Sequence, residues 1–132
     1  MSNWIFVIKS TVGELENRIT KKSWPIYHHT PHRKNLRFSD RIIFYLAGHG
    51  GKKFVGNASI SSELMSSGGL DYSIGISDIK IWKKPIPVED LISNLEFVVN
   101  KNNWGASFQS GVRRLNDNDY NTILSKSRKN NL

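Results

Sequence analysis

The stretch from Leu46 to Lys53, LAGHGGKK, contains three glycines, a histidine and two lysines, a composition that three kinds of site share. A phosphate-binding loop ends in Gly-Lys-Ser/Thr and leads into a helix, whereas Gly51-Lys52 is followed by Lys53 and a strand pattern. The oxyanion loop of a hydrolase accompanies a Gly-x-Ser-x-Gly motif, which neither Gly56-Asn-Ala-Ser59 nor Gly75-Ile-Ser-Asp78 completes. We therefore predict a hairpin turn whose glycines supply positive φ angles.

Three histidines close together, His28, His29 and His32, could bind a metal or transfer protons. His28 and His32 share a face only on a helix, and Pro31 interrupts any helix there. No Cys, Asp or Glu within this segment completes a metal site, since Asp40 is the nearest carboxylate. We expect no metal and no cofactor. A ribonuclease-like pair of histidines acting as general acid and base remains open, because sequence spacing does not give their separation in space.

The net charge of +8 is concentrated in residues 21–53, which also contain all four histidines. Clustered cations release counterions from phosphates, and the aromatic residues among them offer stacking surfaces for bases. The pattern predicts nucleic-acid binding, with an ordinary solvated face or a docking surface for an acidic protein as alternatives. We assign contacts with the nucleic-acid backbone to Lys21, Lys22, Arg33, Lys34, Arg37, Lys52 and Lys53.

The elements that must position these residues are mainly strands. Residues 4–8 predict a buried first strand, residues 12–19 a short helix capped by Ser10 or Thr11, and residues 21–38 a long loop. Ile42, Phe44 and Leu46 share one face of a second strand, and Phe54, Gly56, Ala58 and Ile60 alternate in the same way along a third. Ile74 and Ile76 differ in parity from Ile79 and Ile81, so we predict a bulge near Ser77-Asp78. Pro85 and Pro87 end that strand.

Two further helices are predicted in the second half of the chain. One covers Val88 to Ser93, with Glu89 and Asp90 in its first turn, and the other runs from an Asn116 or Asp117 cap to about Lys126. Most regular structure is thus β, in short strands joined by turns. The fold class is α+β, a closed or nearly closed barrel of mostly antiparallel strands with small peripheral helices.

The totals are those of one domain in a reducing compartment. The chain has 132 residues and no cysteine, and its N-terminal apolar run is too short for a signal peptide. No run of apolar residues could span a bilayer. We expect a cytoplasmic protein with no membrane partner, and a monomer is favoured. Residues 1–126 form the domain, and residues 127–132 are a basic, frayed tail.

Trp24 stands in a polar, proline-containing segment where no hydrophobic period explains it. It either plugs one end of the barrel or forms a wall of a binding pocket. As a pocket residue in a polar loop it would bury little surface in the free protein. These two interpretations predict opposite effects of truncation on stability.

A family resemblance covers residues 3 to 125. The segments NWIFVIKS, Trp24, LRFSDRIIFYLA, KFVGNASISSE, KKPIPVEDLISNLEFVVNKNNW and SFQSGVRRLNDNDYNTIL resemble, in this order, the EVE domain of the PUA-like superfamily, and archaeal members above all. Ser39-Asp40 takes the place of the Gly-Asp turn usual in that family. The first half also resembles the YTH domain, which reads N6-methyladenine in RNA.

The resemblance implies a non-enzymatic reader that takes a modified base, in DNA or in RNA, into an aromatic pocket. Trp24 would be one wall, and Lys9, Ser10 and Thr11 would line the pocket edge. Leu64 or Met65 stands where YTH domains place a second aromatic wall. The base pocket so implied comprises Lys9, Ser10, Thr11, Trp24, Pro25, Tyr27, Tyr45, Leu64, Met65, Trp104 and Phe108. The alternative from the residues alone is a small histidine-dependent nuclease or hydrolase.

Overall fold

A computed structural model describes residues 1–9, 12–48, 51–69, 71–99, 101–102, 104–108 and 111–132. Within these ranges the chain forms seven strands and two α-helices. They are β1 (Asn3–Ile8), α1 (Val12–Lys21), β2 (Ser23–Ile26), β3 (Arg41–Leu46), β4 (Lys53–Ile60), β5 (Met65–Ser66), β6 (Tyr72–Pro87), β7 (Val112–Leu115) and α2 (Asp117–Asn130). Single 3₁₀ turns cover Arg33–Asn35, Val88–Asp90, Ile92–Asn94 and Trp104–Phe108. Neither α-helix is long and apolar enough to cross a membrane.

The strands form one curled, mixed sheet in the order β2-β6-β4-β3-β1-β7, with β5 paired beside β6. Only β1 and β3 run parallel, and the other pairs are antiparallel. The sheet is a half-barrel, because its two end strands, β2 and β7, do not pair with each other in the part of the chain that the structure describes. The predicted α+β class with mostly antiparallel strands is confirmed, although the sheet curls without closing.

Alternation along β1 and β3 divides the interior into two cores, one on each face of the sheet. Trp4, Phe6 and Ile8 of β1 belong to the first core, whereas Ile5 and Val7 belong to the second. The first core includes α1 and β2, and the second is covered by α2 and by the 3₁₀ turns within residues 88–94 and 104–108. Because both faces of β1 and β3 are covered, these strands are buried along nearly their whole length.

A β-bulge at Val55 corrects one predicted face. Phe44 pairs with Gly56 and the next residue, Tyr45, pairs with Phe54, so Val55 is the extra residue. The phase of β4 therefore changes there: Phe54 enters the second core while Val55 packs in the first. The interpretation of Phe54 as sharing a face with Ala58 and Ile60 was wrong, because alternation does not continue through a bulge.

Gly56, beside this bulge, lies where β6 comes close to β4. A Cβ atom built on Gly56 would collide with the carbonyl oxygen of Lys80 and lie 2.9 Å from Cδ1 of Ile81. The position therefore excludes any side chain unless the two strands separate.

The predicted bulge in the long strand β6 is confirmed. Ser77 pairs with Ser59 and Lys80 with Asn57, so two residues of β6 face one of β4 at this point. Asp78 takes up the irregularity with a φ of 52°. The shift lets Ile79 pack against the same core as Ile74 and Ile76, while Ile81 stays exposed.

The predicted loop over residues 21–38 contains a strand that sequence reasoning missed. β2 pairs antiparallel with the start of β6, placing Trp24 opposite Ile74 and Pro25 opposite Ser73. Proline is compatible with this position because β2 is an edge strand, whose outer side needs no amide donor. The rest of the segment is irregular apart from the 3₁₀ turn at Arg33–Asn35.

The LAGHGG segment joins β3 to β4, so the predicted hairpin is confirmed. Gly48 has a φ of 91° and Lys52 a φ of 66°. At Gly51 the backbone passes so close to the end of β3 that a side chain would not fit, since an added Cβ would lie 2.6 Å from the carbonyl oxygen of Leu46. His49 and Gly50 lie outside the described residues.

Two of the three predicted helices differ from their prediction, and the N-terminal cap of the third is confirmed. α1 continues to Lys21, and its predicted caps Ser10 and Thr11 lie outside the described residues. Residues 88–93 form 3₁₀ turns rather than an α-helix. Asn116 caps α2 as predicted, its side chain accepting a hydrogen bond from the amide of Asp119 at 2.7 Å.

The C-terminal residues are not a frayed tail. α2 continues to Asn130, and Ser127 is buried. The side chain of Asn131 accepts a hydrogen bond from the amide of Lys84 at 2.9 Å and donates one to its carbonyl oxygen at 3.2 Å. These contacts with β6 hold the end of the chain, so the boundary predicted at residue 126 falls inside a helix.

Asp40 joins the chain before β3 to the start of β1. Its carboxylate accepts hydrogen bonds from the amide of Ser2 at 2.9 Å, from the indole N–H of Trp4 at 2.9 Å and from the amide of Arg37 at 3.1 Å. Ser39 beside it has a φ of 73°, a conformation that favours glycine. The Ser39-Asp40 pair therefore combines a positive φ with the carboxylate that ties this turn to β1.

Candidate nucleic-acid interface

A cavity of about 510 Å³ opens at the end of β1, between α1, β2 and the start of β7. Its walls combine aromatic, apolar and basic side chains. They come from Val7, Ile8, Lys9, Arg18, Trp24, Pro25, Ile26, Tyr27, His29, Thr30, Pro31, Gly111 and Val112. Four predicted base-pocket residues are therefore together here, namely Lys9, Trp24, Pro25 and Tyr27. We call this space the Trp24 cavity.

Trp24 is enclosed by its neighbours rather than displayed as an open wall. Phe44 stacks on the indole at a centroid distance of 5.2 Å and an angle of 18°, and Phe6 packs against it at 5.5 Å. The guanidinium carbon of Arg18 lies 4.6 Å from the ring centroid. The side chain is only 2% exposed. The expectation that Trp24 buries little surface was wrong, because β2 carries it into the first core.

Arg18 is the charged group that a molecule in the Trp24 cavity meets before the indole. Its Nε atom lies 3.2 Å from the carboxylate of Glu14, one helical turn earlier. The guanidinium side chain is 12% exposed and that of Glu14 is 40% exposed. Among the described residues, Nε is the only guanidinium nitrogen of Arg18 in a hydrogen bond. Its other N–H groups can be offered to a ligand.

A tight turn after β2 forms the outer wall of the cavity. The hydroxyl of Thr30 accepts a hydrogen bond from the amide of Tyr27 at 3.1 Å, and the amide of Thr30 donates to the carbonyl oxygen of Tyr27 at 2.9 Å. The rings of Tyr27 and His29 stack at 5.9 Å and 12°. The buried Thr30 thus holds Tyr27 and His29 at the surface, where their rings are exposed.

A smaller basic hollow of about 210 Å³ adjoins the Trp24 cavity, and Val112 lines both. Its other residues are His32, Arg113 and Arg114. Arg114 lies 5.7 Å from the ring centroid of Trp4, and the His32 ring lies 5.7 Å from the same indole. We did not predict Arg113 and Arg114 as site residues. They come next to the pocket only because β7 pairs with β1, which sets Arg114 opposite Trp4.

The remaining aromatic residues of the predicted pocket line a different cavity. A space of about 220 Å³ on the opposite face of the sheet is bounded by Tyr45, Trp104 and Phe108, with Lys9 and Lys52 at its mouth. Tyr45 stacks on Phe108 at 4.1 Å and 17°. Burial raises the pKa of Tyr45 to about 12. The structure therefore divides the predicted base pocket between two faces, with Lys9 the residue common to both cavities.

Leu64 and Met65 line neither cavity. Leu64 packs against the first core. Met65 is exposed in the short strand β5, opposite Ser73. Ser10 and Thr11 lie outside the described residues.

The cations predicted to contact a nucleic-acid backbone are on more than one surface. Arg33 follows His32, which lines the basic hollow, and the guanidinium of Arg33 lies 5.9 Å from the ring centroid of Tyr72. Arg37 folds back on its own loop, donating to the carbonyl oxygens of Lys34 at 2.5 Å and Leu36 at 3.0 Å. Lys21 ends α1 and Lys22 follows it. Lys52 lines the second cavity, and Lys53 begins β4.

The fold separates His32 from His28 and His29. His28 and His29 are neighbours with ring centroids 5.2 Å apart, and Nδ1 of His28 lies 3.4 Å from the carboxylate of the exposed Asp71. His32 packs instead against Trp4. No group of three potential metal ligands occurs among the residues that the structure describes.

No protein-family model matches the chain. Two curated relatives, both named UPF0310 protein, come from Mycolicibacterium species. The relative from Mycolicibacterium gilvum is 27% identical over 95% of this chain and 94% of its own length. That from Mycolicibacterium vanbaalenii is 25% identical over 95% of this chain and 92% of its own length.

Solved structures show the fold more clearly. Rpa0253 from Rhodopseudomonas palustris matches with a TM-score of 0.72 and 16% identity, over 98% of this chain and 94% of that one. Human THYN1, solved in complex with DNA containing 5-methylcytosine, matches with a TM-score of 0.69 and 11% identity over 96% and 98%. The YTH domain of Zygosaccharomyces rouxii MRB1, in complex with N6-methyladenosine RNA, matches with a TM-score of 0.62 and 14% identity over 95% and 86%. The chain thus has the PUA-like fold that its resemblance to EVE and YTH domains implied.

Proposed function

We propose that this protein is a nucleic-acid reader that takes a modified base into the Trp24 cavity and catalyses no reaction. The observation that carries the proposal is the cavity itself, in which the layered pair of Arg18 and Trp24 lies beside basic and aromatic side chains. A base is planar, and both guanidinium and aromatic planes stack on it. THYN1 and the MRB1 YTH domain, which share the fold, were solved with modified nucleic acids.

The target base must be single-stranded or flipped out to enter the cavity. Extrusion from a duplex costs a few kcal/mol, and stacking returns roughly 1–3 kcal/mol per base. Phosphate contacts must supply most of the remaining affinity. We therefore expect single strands to bind more tightly than duplexes of the same sequence.

The hollow beside the cavity is the proposed path of the backbone. Arg114 and His32 line it, and Arg33 follows His32 in the chain. A nucleotide whose base enters the Trp24 cavity would have its phosphates next to the guanidinium groups of Arg114 and Arg33. Lys52 and Lys53, near the second cavity, offer a competing path on the other face. We further propose a cytoplasmic location, based on the absence of cysteine from the chain.

The decisive experiment is a binding screen with single-stranded oligonucleotides that differ only in one base modification, in DNA and in RNA. We expect a modified strand to bind more tightly than its plain counterpart, and Arg114→Gln to weaken both equally. Lys80→Gln on β6, which lines neither the cavity nor the hollow, is the control of equal charge change. Equal affinity for every modified and plain strand would contradict the reader proposal.

The second candidate function is histidine-dependent cleavage, which the 3.4 Å contact between His28 and Asp71 favours, because a carboxylate can orient an imidazole for proton transfer. His29 beside it lines the Trp24 cavity. We expect labelled DNA and RNA to stay intact over hours with the protein. Cleavage that persists with a chelator, and disappears in His28→Ala or His32→Ala, would establish the nuclease instead.

A further inference from the structure

The position of Arg18 sets a charge requirement on whatever enters the Trp24 cavity. Aromatic pockets that recognise methylated cations do so by placing the cation over a ring face. Here Phe44 covers one face of Trp24 and the guanidinium of Arg18 already lies over the ring. An incoming cation would have to displace Arg18 from the indole and from Glu14, or remain beside it.

A second cation of the cavity acts in the same direction. Lys9 lines it together with Arg18, and the described lining residues include neither Asp nor Glu. Glu14 is paired with Arg18 outside the lining, 3.2 Å from Nε. The cavity therefore combines a guanidinium that lies over the indole ring, with Nη groups available as donors, and a second cation in Lys9.

Building on the proposed function, we infer that the cavity selects a base bearing an anionic or strongly hydrogen-bond-accepting substituent, and rejects bases made cationic by ring methylation. Arg18 is the residue that determines this specificity. A carboxylate on the ring edge matches the fork of guanidinium donors, with which it can form two parallel N–H···O bonds. A pyrimidine with a carboxyl group at its 5-position presents such an edge, and 3-methylcytosine, which is cationic at neutral pH, represents the rejected class.

The test compares single-stranded oligonucleotides that carry cytosine, 5-carboxylcytosine or 3-methylcytosine at one position. Charge-assisted hydrogen bonds contribute enough to change affinity by roughly tenfold or more. We expect 5-carboxylcytosine to bind about tenfold more tightly than cytosine, and 3-methylcytosine more weakly than cytosine. A preference for 3-methylcytosine over cytosine would overturn the inference.

Two substitutions assign the preference to Arg18. Arg18→Gln should abolish the preference for the carboxylated base, while Arg128→Gln, an exposed site on α2 with the same charge change, should preserve it. Glu14→Gln keeps the guanidinium and removes its carboxylate partner, so the preference should increase. Thermal melting of each variant confirms that the protein tested is folded. An Arg18→Gln protein that loses affinity for all three strands by the same factor would show only a general phosphate contact, and would overturn the inference.

Free nucleosides separate this inference from the proposed function. 5-Carboxycytidine and 3-methylcytidine can be titrated into the protein while tryptophan fluorescence is followed, because Trp24 lies in the cavity wall. Binding of 5-carboxycytidine that Arg18→Gln abolishes, with no binding of any oligonucleotide, would support the cavity's specificity and contradict the nucleic-acid reader. Tighter oligonucleotide binding to some other modification, with no response to carboxylated base or nucleoside, would support the reader and contradict the charge rule.

Discussion

Truncating Trp24 to alanine should destabilise the protein strongly. The indole is 2% exposed and packs against Phe6, Phe44 and Arg18. An aromatic side chain buries roughly 150–250 Å², and at about 25 cal/mol per Å² its burial contributes about 4–6 kcal/mol. Measured truncations of buried Phe and Trp cost roughly 3–5 kcal/mol. We therefore expect Trp24→Ala to lower the free energy of unfolding by about 3–5 kcal/mol.

The effect should be measurable both by urea unfolding and by thermal melting. For a chain of this length a loss of 1 kcal/mol lowers Tm by roughly 3–5 °C, so Trp24→Ala should melt roughly 9–25 °C lower than the wild type. Trp82→Ala is the matched control, since Trp82 is only partly buried and lies outside both cavities. It should lose clearly less stability.

Binding measured below the melting point separates the two roles of Trp24. If it also supports the base, Trp24→Ala should reduce the discrimination between modified and plain strands by roughly 1–3 kcal/mol after correction for the folded fraction. A variant that melts within a few degrees of the wild type would refute the packing argument. A strongly destabilised variant whose folded fraction discriminates as before would show that Trp24 serves the core alone.

Three further predictions follow from the sheet and the basic surfaces. Affinity for single strands should fall with salt, and the logarithm of the association constant plotted against the logarithm of salt concentration should have a slope of about −0.7 per phosphate contact. Arg114→Ala should make this slope shallower by about one contact. If only the Lys52→Ala, Lys53→Ala double variant does so, the nucleic-acid backbone lies on the opposite face of the sheet. Gly56→Ala should lower the free energy of unfolding, measured in urea, by roughly 1–3 kcal/mol, because the added Cβ would collide with β6. Gly105→Ala is the control, since no neighbouring atom lies within 4 Å of its added Cβ. Equal losses of stability in the two variants would contradict the close approach of β4 and β6. Burial raises the pKa of Tyr45 to about 12. The stabilisation that comes from burying the neutral phenol is therefore fully present below the usual pKa of about 10, and it is lost as pH rises through about 12. The wild type should therefore lose up to about 2–3 kcal/mol more than Tyr45→Phe over that range, and parallel stability curves would exclude the shift.

The strands of the sheet could be predicted where alternation or parity carried the information. The faces of β3 followed from Ile42, Phe44 and Leu46, and the change of parity after Ile76 located the bulge that Asp78 forms. These signals are local, since each depends on neighbouring residues of one strand. The bulge at Val55 had no such signal, and Phe54 was placed on the wrong face.

β2 was missed because the reason for it lies in another strand. Ser23 to Ile26 includes a proline and has no long apolar pattern, so nothing local indicated a strand. Its pairing with the start of β6 and the burial of Trp24 in the first core come from tertiary contacts. Such contacts override local propensity.

The candidate site shows the same division. Of the basic third of the chain, His29 and the turn that follows β2 line the Trp24 cavity, whereas the cations predicted to contact a nucleic-acid backbone lie on several surfaces. Arg18 and Arg114 could not be added, because helix packing and the pairing of β7 with β1 bring them there. Alternation separates Tyr45 from Phe44, which are consecutive strand residues, but only the tertiary position of β2 shows that Trp24 lies on the side of Phe44.

The pairing of the first strand with the last has a consequence for synthesis on the ribosome. β1, whose residues are all buried, has β3 on one side and β7 on the other, and β7 begins only at Val112. A nascent chain that stops short of this residue leaves one hydrogen-bonding edge of an apolar strand without its partner, and such an edge invites pairing with other chains. Because domains fold as units during translation, completion of this sheet must wait until residues through Leu115 have emerged. Partial products are therefore the species that chaperones would need to protect.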